Sequence, residues 1–578
     1  MAKTFQFYGK EIIDPGVYSK IVTVGGANPT PDGANALVII AEAISGVEFG
    51  TLVTGTTLSD FKKILGDEGP AIEAVFKAQN ASPSLSPAQD IRVFNPRALV
   101  QSTGTIETVA AGADAITVKS RIYGAPGNSV NIVLASTLCT VSFPWSEDNL
   151  EQTIDNPVMD IIMPSGFVTI TGTTIAVGLT GALTVFTFTD YPKLIDLITA
   201  IESAVPAATI TKDVNTSDNQ STSGLFDQLS GENAISTLTT LKGDLKQLFD
   251  FLDAGVPDIE ATLLATATTA VDDFDLTLAG GTSGTDPDAT QWGKVYDELQ
   301  SQTIAVTCPI ADGIPTPYDE TLTKAIMSLD EQHAVSMNQP DQRGKKRQSF
   351  ISAHGGYGWN GQFVARPADA DAVAALGNLH NSEYSQFFSD GLNAITQKGV
   401  EYGQLPCYFA VQCASMFVGG LASRVLTSQL VTALKATISY DFDDRKKIHK
   451  ASVIIPTTDG GVTTIRQFYT SWKSTSEPMK TVPSRVRCVN LSSNDIDRKL
   501  EEWMKGYQGR GESPYNAEGR TFIKRVLESH QNKSINWVES FGVIEFSSSG
   551  IKFTYNVADH VVPRIPEYGF GTVESLNV

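Results

Sequence analysis

The stretch "LAGGTSGTDPDATQWGKVYDELQSQTIAVTCP", residues 278–309, reads as strand, glycine loop, helix, strand. That order is the outline of a phosphate-binding unit, in which glycines let backbone N–H groups approach an anion at a helix N-terminus. The loop here is Gly280-Gly281-Thr282-Ser283-Gly284, neither GxGxxG nor GxxxxGK[ST]. Asp286 and Asp288 follow it and would repel phosphate, and no GK[ST] occurs anywhere in the chain. The residue types favour a structural turn over a nucleotide site.

"GTSG" is also similar to the nucleophile segment of subtilisin-type proteases. In that enzyme order the serine comes last. Ser283 instead precedes all six histidines, His333, His354, His380, His449, His530 and His560, and no GxSxG elbow exists. None of the histidines forms HxH, HExxH or HxxxH, so a catalytic metal is not indicated. The five cysteines, Cys139, Cys308, Cys407, Cys413 and Cys488, are odd in number and include no CxxC. Neither a disulfide framework nor a zinc site follows, and a reducing compartment fits. Asp272, Asp273 and Asp275, and Asp369 and Asp371, lack the spacing of a calcium loop and read as solvated faces. Two basic runs remain: Arg343, Lys345, Lys346 and Arg347, then Arg445, Lys446 and Lys447. On a chain of net charge -21 they read as solvated loops, or as patches meeting acidic surfaces of neighbouring subunits, ahead of nucleic-acid binding. No cofactor is expected, and the chain does not read as an enzyme.

These residues sit in a chain of 578, long enough for about three or four domains. The segment 121–270 holds 17 Asp/Glu and 5 Lys/Arg, a balance of -12, whereas 471–578 holds 13 and 14, a balance of +1. The N-terminus "MAKTFQFYGK" lacks a signal-peptide apolar core. No charge occurs in residues 161–189, yet their threonines, valines and glycines predict strands rather than a membrane helix.

Residues 36–41, "ALVIIA", predict a strand covered on both faces. Helical patterns follow at 56–66 and 70–80, and a strand at 90–96, so 26–96 is α/β. Residues 97–190 change to short Thr- and Val-rich strands. Residues 191–270 add amphipathic helices, one with Leu194, Ile195, Ile198 and Ile201 on its inner stripe, the next with Leu241, Leu245, Leu248 and Leu252. The α/β pattern resumes at Phe274. Asp288 and Gln291 predict a capping box for a helix whose inner face is Trp292, Val295, Tyr296 and Leu299. "NDIDRKLEEWMKGYQG", 494–509, predicts a capped helix with Ile496, Leu500, Trp503, Met504 and Tyr507 inward, and 518–530 a second helix. Near the C-terminus, Ile551, Phe553, Tyr555 and Val557 alternate with polar residues as in a half-buried strand, with Ser547-Ser548-Ser549-Gly550 as the hairpin turn.

Five segments result: an arm at 1–25; an α/β middle domain from 26–96 and 271–470; an inserted β-rich outer domain with helices at 97–270; an α+β core at 471–560; and a second arm at 561–578. Both ends carry strand-forming segments with no obvious local partner. A free strand edge invites pairing with another chain, and strand donation links subunits through main-chain hydrogen bonds. The residues assigned to that linkage are Val17, Tyr18, Ile21 and Val22, the hairpin residues Ile551, Phe553, Tyr555 and Val557, and Val573 in the tail.

"DPGVY" (14–18), "YGAPGNSVNIVL" (123–134), the stretch 278–309, and the run from "VRCVNLSSNDIDRKLEEWMKGYQG" to "GVIEFSSSGIKFTYNVADHVVPRIPEYGFGTV" occur in that order over most of the chain. In this the chain resembles the contractile-tail sheath proteins of myovirus-type bacteriophages and related contractile injection systems. Residues 330–430 depart from the commoner sheath pattern. The resemblance implies a structural virion protein: an α/β domain with a subtilisin-like fold but no active site, an inserted solvent-facing domain, and a core with linking arms. It implies self-association in stacked hexameric rings as a helical assembly, with a tail tube protein, baseplate proteins and a tail terminator as partners. It also implies assembly in the host bacterial cytoplasm, a place in the virion tail, and a part in genome ejection, with no nucleic acid bound and no membrane insertion. A non-contractile tail-tube or capsid component, or an unrecognised α/β enzyme, are the alternatives.

Overall fold

A computed structural model describes residues 5–7, 10–12, 36–107, 114–235, 239–264, 271–339, 342, 344–420, 425–509, 521–522 and 524–528, and four strand segments between 538 and 557. It is a mixed α/β chain with several sheets, divided into two units. The first comprises 1–44, 49–98 and 285–578, the second 45–48 and 99–284.

The first unit is built on the apolar run foreseen at 36–41. Ala36–Ile40 (β1) has no exposed side chain, because it lies mid-sheet with helices on both faces. Around it are Val53–Gly55 (β2), Asp90–Phe94 (β3), Val306–Pro309 (β4), Gln348–Ser352 (β5), Ser385–Phe388 (β6) and Val453–Ile454 (β7). The order is β7-β6-β5-β4-β1-β3-β2. All neighbours are parallel except the edge pair β2–β3. Leu37 stands opposite Ile91 on one side and Val306 on the other.

Helices cover both faces. Leu58–Leu65 (α1) begins at a capping box between Thr57 and Asp60, and Pro70–Gln79 (α2) follows. Ala289–Leu299 (α3) starts at Asp288, whose carboxylate accepts the Gln291 N–H at 2.8 Å. Such a cap stabilises a helix by about 1 kcal/mol. Trp292, Val295, Tyr296 and Leu299 are buried as their i, i+3, i+4, i+7 spacing foresees, and pack with Glu320–Met337 (α4) on Val38, Ile40 and Phe94. Ala370–Gly377 (α5) and Phe442–Lys450 (α7) pack with Ile351 and Phe387. Between them in sequence, Pro406–Gly419 (α6) is buried along nearly its whole length. Its Phe409 and Phe417 join Phe350, Phe388 and Phe468 in an aromatic cluster. Neighbouring residues of β5 and β6 thus serve opposite faces, as the pleat requires.

Pro483–Gly509 (α8) starts eleven residues before the helix read from the sequence. Asn494 is therefore not its cap. Its amide donates to the Lys346 carbonyl and accepts the Lys346 N–H, both at 2.9 Å. Arg487 of the same helix donates to the terminal carbonyls of α6, to Phe417, to Val418 at 3.0 Å and to Gly420 at 3.4 Å, satisfying groups that a helix end leaves open. Ile496 is buried; the side chains of Leu500, Trp503, Met504 and Tyr507 lie outside the described residues. Residues 521–522 and 524–528 are helical.

The second unit contains two cores. In one, strands Gly166–Ile170, Thr174–Leu179 and Ala182–Thr187 form the sheet read from residues 161–189. Among the described residues no helix is long and apolar enough to cross a membrane. The helix Leu194–Ala204 buries Leu194, Leu197, Ile198 and Ile201, while Ile195 is 39% exposed. Leu197 replaces Ile195 on the stripe because i+3, not i+1, returns to the same face. Leu245, Leu248 and Leu252 are buried in the other core, whereas Leu241 lies on the strand Thr239–Lys242 before the helix.

One difference concerns Phe274, the position at which the sequence predicts that the α/β pattern resumes. Phe274–Thr277 does not join the parallel sheet; it pairs antiparallel with Asn131–Ala135 in the second unit. Leu276 and Leu278 pack in that unit's core. The glycine loop is therefore the end of one unit's sheet, and α3 is the start of the next segment of the other.

Candidate functional site

In the glycine loop the backbone groups of Gly281 and Thr282 are already engaged. Asn128 accepts the Gly281 N–H and donates to the Gly281 carbonyl, both at 2.8 Å. A Cβ at Gly281 would stand 2.1 Å from Ser102 Oγ and 2.6 Å from the Gly124 carbonyl oxygen. The glycine is thus explained by close packing, and its amide is not offered to an anion. Asp286 and Asp288 are likewise engaged, the first with Arg97 at 3.0 Å and the second as the α3 cap. Ser283 belongs to the second unit, while His333, His354, His380 and His449 belong to the first; His530 and His560 lie outside the described residues.

Among the described residues, serine, histidine and carboxylate meet at Glu331. Glu331 on α4 accepts from Ser385 Oγ at 3.0 Å and lies 2.6 Å from His380 Nδ1, and Ser385 Oγ lies 2.7 Å from Ser471 Oγ. A nucleophilic relay needs the imidazole between hydroxyl and carboxylate. Here the carboxylate is in the middle, so the ring cannot take the serine proton, and the cluster ties α4 to the start of β6. Burial acts to raise the Glu331 pKa, but the hydrogen bond and charge of His380 and the Ser385 hydroxyl outweigh it and hold it below the usual value.

His333 is unsuited to base catalysis. Burial, with the adjacent Arg347 charge, pushes its pKa down to about 3, so the neutral ring accepts from Arg347 Nη1 at 3.2 Å. Arg347 also donates to the carbonyls of Leu299 at 3.0 Å and Gln302 at 2.7 Å. This corrects the reading of the first basic run as a surface patch. Lys346 and Arg347 are 1% and 0% exposed, because their backbone leads into β5 and the guanidinium gathers carbonyls at the C-terminal end of α3. Arg343 lies outside the described residues. The second run does lie on exposed α7, where Lys447 pairs with Asp371 at 3.2 Å. Asp369 caps α5.

Among the described residues, a further group of buried charges lies around the carboxyl ends of β1 and β4, where open α/β sheets bind ligands. Glu42 accepts from Arg97, from the Tyr318 hydroxyl and from the Ile314 N–H at 3.2 Å. Asp312 accepts from the Trp359 N–H at 2.7 Å and the Tyr408 hydroxyl at 2.6 Å. Burial, against those two hydrogen bonds and helped by the Glu42 and Glu73 charges, pushes its pKa up to about 7. Glu73 accepts from Gln404 at 2.7 Å and from the Gln397 N–H at 2.9 Å. Glu42 and Asp312 tie together the loops that follow β1 and β4, and Glu73 ties α2 to residues 397 and 404. Among the described residues no cluster of histidine, cysteine, aspartate and glutamate could hold a metal ion. All five cysteines are buried and free.

Of the residues assigned to linkage, Val17, Tyr18, Ile21, Val22, Phe553 and Val573 lie outside the described residues. Ile551 is on Gly550–Lys552, opposite Phe546. Tyr555 and Val557 are on Tyr555–Val557, opposite Phe541 and Val538. These pairs form two-stranded sheets joined to no further strand among the described residues, as do Phe5–Phe7 and Lys10–Ile12. Sequence reading passed over Glu42, Arg97 and Asn128. A lone charge within apolar "ALVIIAEA" was the available signal for Glu42.

No family model matches the chain, and no curated protein matches it. Among solved structures, the chain is similar to a sheath tail protein from Listeria innocua, at 13% identity over 92% of this chain and 93% of that one, with a TM-score of 0.49. It is similar to a sheath tail protein from Desulfitobacterium hafniense, at 12% identity over 94% and 97%, with a TM-score of 0.46. The contracted helical sheath of the anti-feeding prophage is similar at 11% identity over 47% and 71%, with a TM-score of 0.34.

Proposed function

We propose that this chain is the repeating subunit of a contractile tail sheath. One observation carries the proposal: among the described residues, the strands at both ends pair only within two-stranded ribbons. Such ribbons are marginal alone, and their open edges suit pairing with another copy. The order of the quoted sequence pieces supports the same reading, and so does a first unit whose buried polar groups serve packing.

In this proposal subunits stack as six-membered rings around a tail tube, between baseplate and terminator. The α/β domain is subtilisin-like, and the arms hold neighbouring subunits in a connected mesh. Rearrangement of the baseplate lets subunits rotate outward as rigid bodies into more favourable contacts, driving the tube through the host envelope. A gain of about a few kcal/mol per subunit suffices when summed along the sheath. No nucleotide is needed.

Electron microscopy of the purified chain tests this. Hollow tubes of uniform diameter are expected, and closed shells or dispersed monomers count against it. Deleting residues 1–20 is expected to abolish tubes; tubes of normal length from that deletion overturn the arm model.

A further inference from the structure

The chain passes between the two units at four points: after Ile44, before Phe49, after Ala98 and before Thr285. On the first unit's side, the residues next to these points converge. Arg97 donates to Glu42, to Asp286 at 3.0 Å and to the Ile314 carbonyl at 3.1 Å. The side chains of Arg97 and Glu42 are 7% and 0% exposed. The Asn95 amide donates to the Ala43 carbonyl at 2.9 Å and accepts the Ala43 N–H at 3.3 Å. Phe49 sets its ring edge-on to Phe94, 5.4 Å between centroids.

The second unit has its own set. Val100 and Thr282 exchange backbone hydrogen bonds at 2.9 and 3.2 Å. Asn128 grips Gly281 and accepts from Ser102 Oγ at 3.0 Å. Ser45 stands opposite Gly124.

We infer that these two networks are clasps, each binding the departing and returning segments of the chain into one cooperative piece, and that Arg97 is the central residue of the first. A guanidinium carries its donors on separate nitrogens of a fixed planar fork, and Arg97 uses both terminal nitrogens here; an ammonium radiates its donors from a single nitrogen and does not span acceptors so far apart. Its removal leaves Glu42 buried without its cation, the situation in which a broken pair costs most. The coupling is independent of whether the chain forms a sheath.

Hydrogen exchange of the full chain tests the inference. Arg97→Met is expected to speed exchange about tenfold or more at 41–44, 95–98 and 285–288 together, with β5 still protected. Arg97→Lys is expected to restore little of that protection. The inference is overturned if only 95–98 responds, or if β5 accelerates by the same factor. Should Arg97→Met not fold, Asp286→Asn reads the same coupling from an exposed carboxylate. Residues 41–44 and 285–288 are then expected to accelerate together by about fivefold or less, and a response confined to 285–288 overturns the inference.

Discussion

Replacing Asn494 separates two physical roles for one residue. As a helix cap it would tolerate aspartate, which accepts N–H groups equally well, and even its loss would cost about 1 kcal/mol. In the structure its amide both donates to and accepts from the Lys346 backbone, at 2.9 Å each, and Asn494 is 5% exposed. Aspartate keeps the acceptor, loses the donor and places a carboxylate beside the Lys346 carbonyl. Each hydrogen bond contributes about 1 kcal/mol, and a buried group left unpaired costs about 1–3 kcal/mol. Asn494→Ala is therefore expected to destabilise the first unit by about 2–4 kcal/mol, and Asn494→Asp by at least as much. Urea titration, followed by circular dichroism and by hydrogen exchange over 344–352, reads both the cost and its location. An Asn494→Asp variant within about 0.5 kcal/mol of wild type would refute the bidentate role.

Asp312 makes stability depend on pH in a defined direction. Its carboxyl holds a proton up to about 7 when folded, against 3.8 ordinarily, so its stabilising contribution is complete below about pH 4, falls as pH rises towards 7 and is lost above that. Relative to Asp312→Asn, wild type is expected to lose at least about 1 kcal/mol between pH 4.5 and 7.5; parallel urea midpoints at the two pH values argue against it. Gly281→Ala forces a methyl group against Ser102 and Gly124 and is expected to cost about 1–3 kcal/mol, with an unchanged melting temperature as the contrary result. Trp292→Ala empties a fully buried site and is expected to cost about 3–5 kcal/mol by thermal or urea unfolding; a cost below about 1 kcal/mol would place the indole outside the core.

The sequence by itself determined the elements whose signal is local. The continuous apolar run of β1, the i, i+3, i+4, i+7 spacing of α3 and the Thr, Val and Gly content of the strands between 166 and 187 are local signals that need no knowledge of the partner. Tertiary structure alone decided where polar residues went. Asn494 has the composition of a cap but finds the Lys346 peptide, 148 positions away in sequence. Asn128 and Gly281 meet across 153 positions, and Phe274–Thr277 joins the second unit because its partner strand lies there. Lys346 and Arg347 have the composition of a solvated loop, yet are buried among the elements around β5. Apolar side chains seek any dry surface, so their spacing suffices to place them. Polar groups need a complementary donor or acceptor at a particular point, and only the folded chain supplies that point.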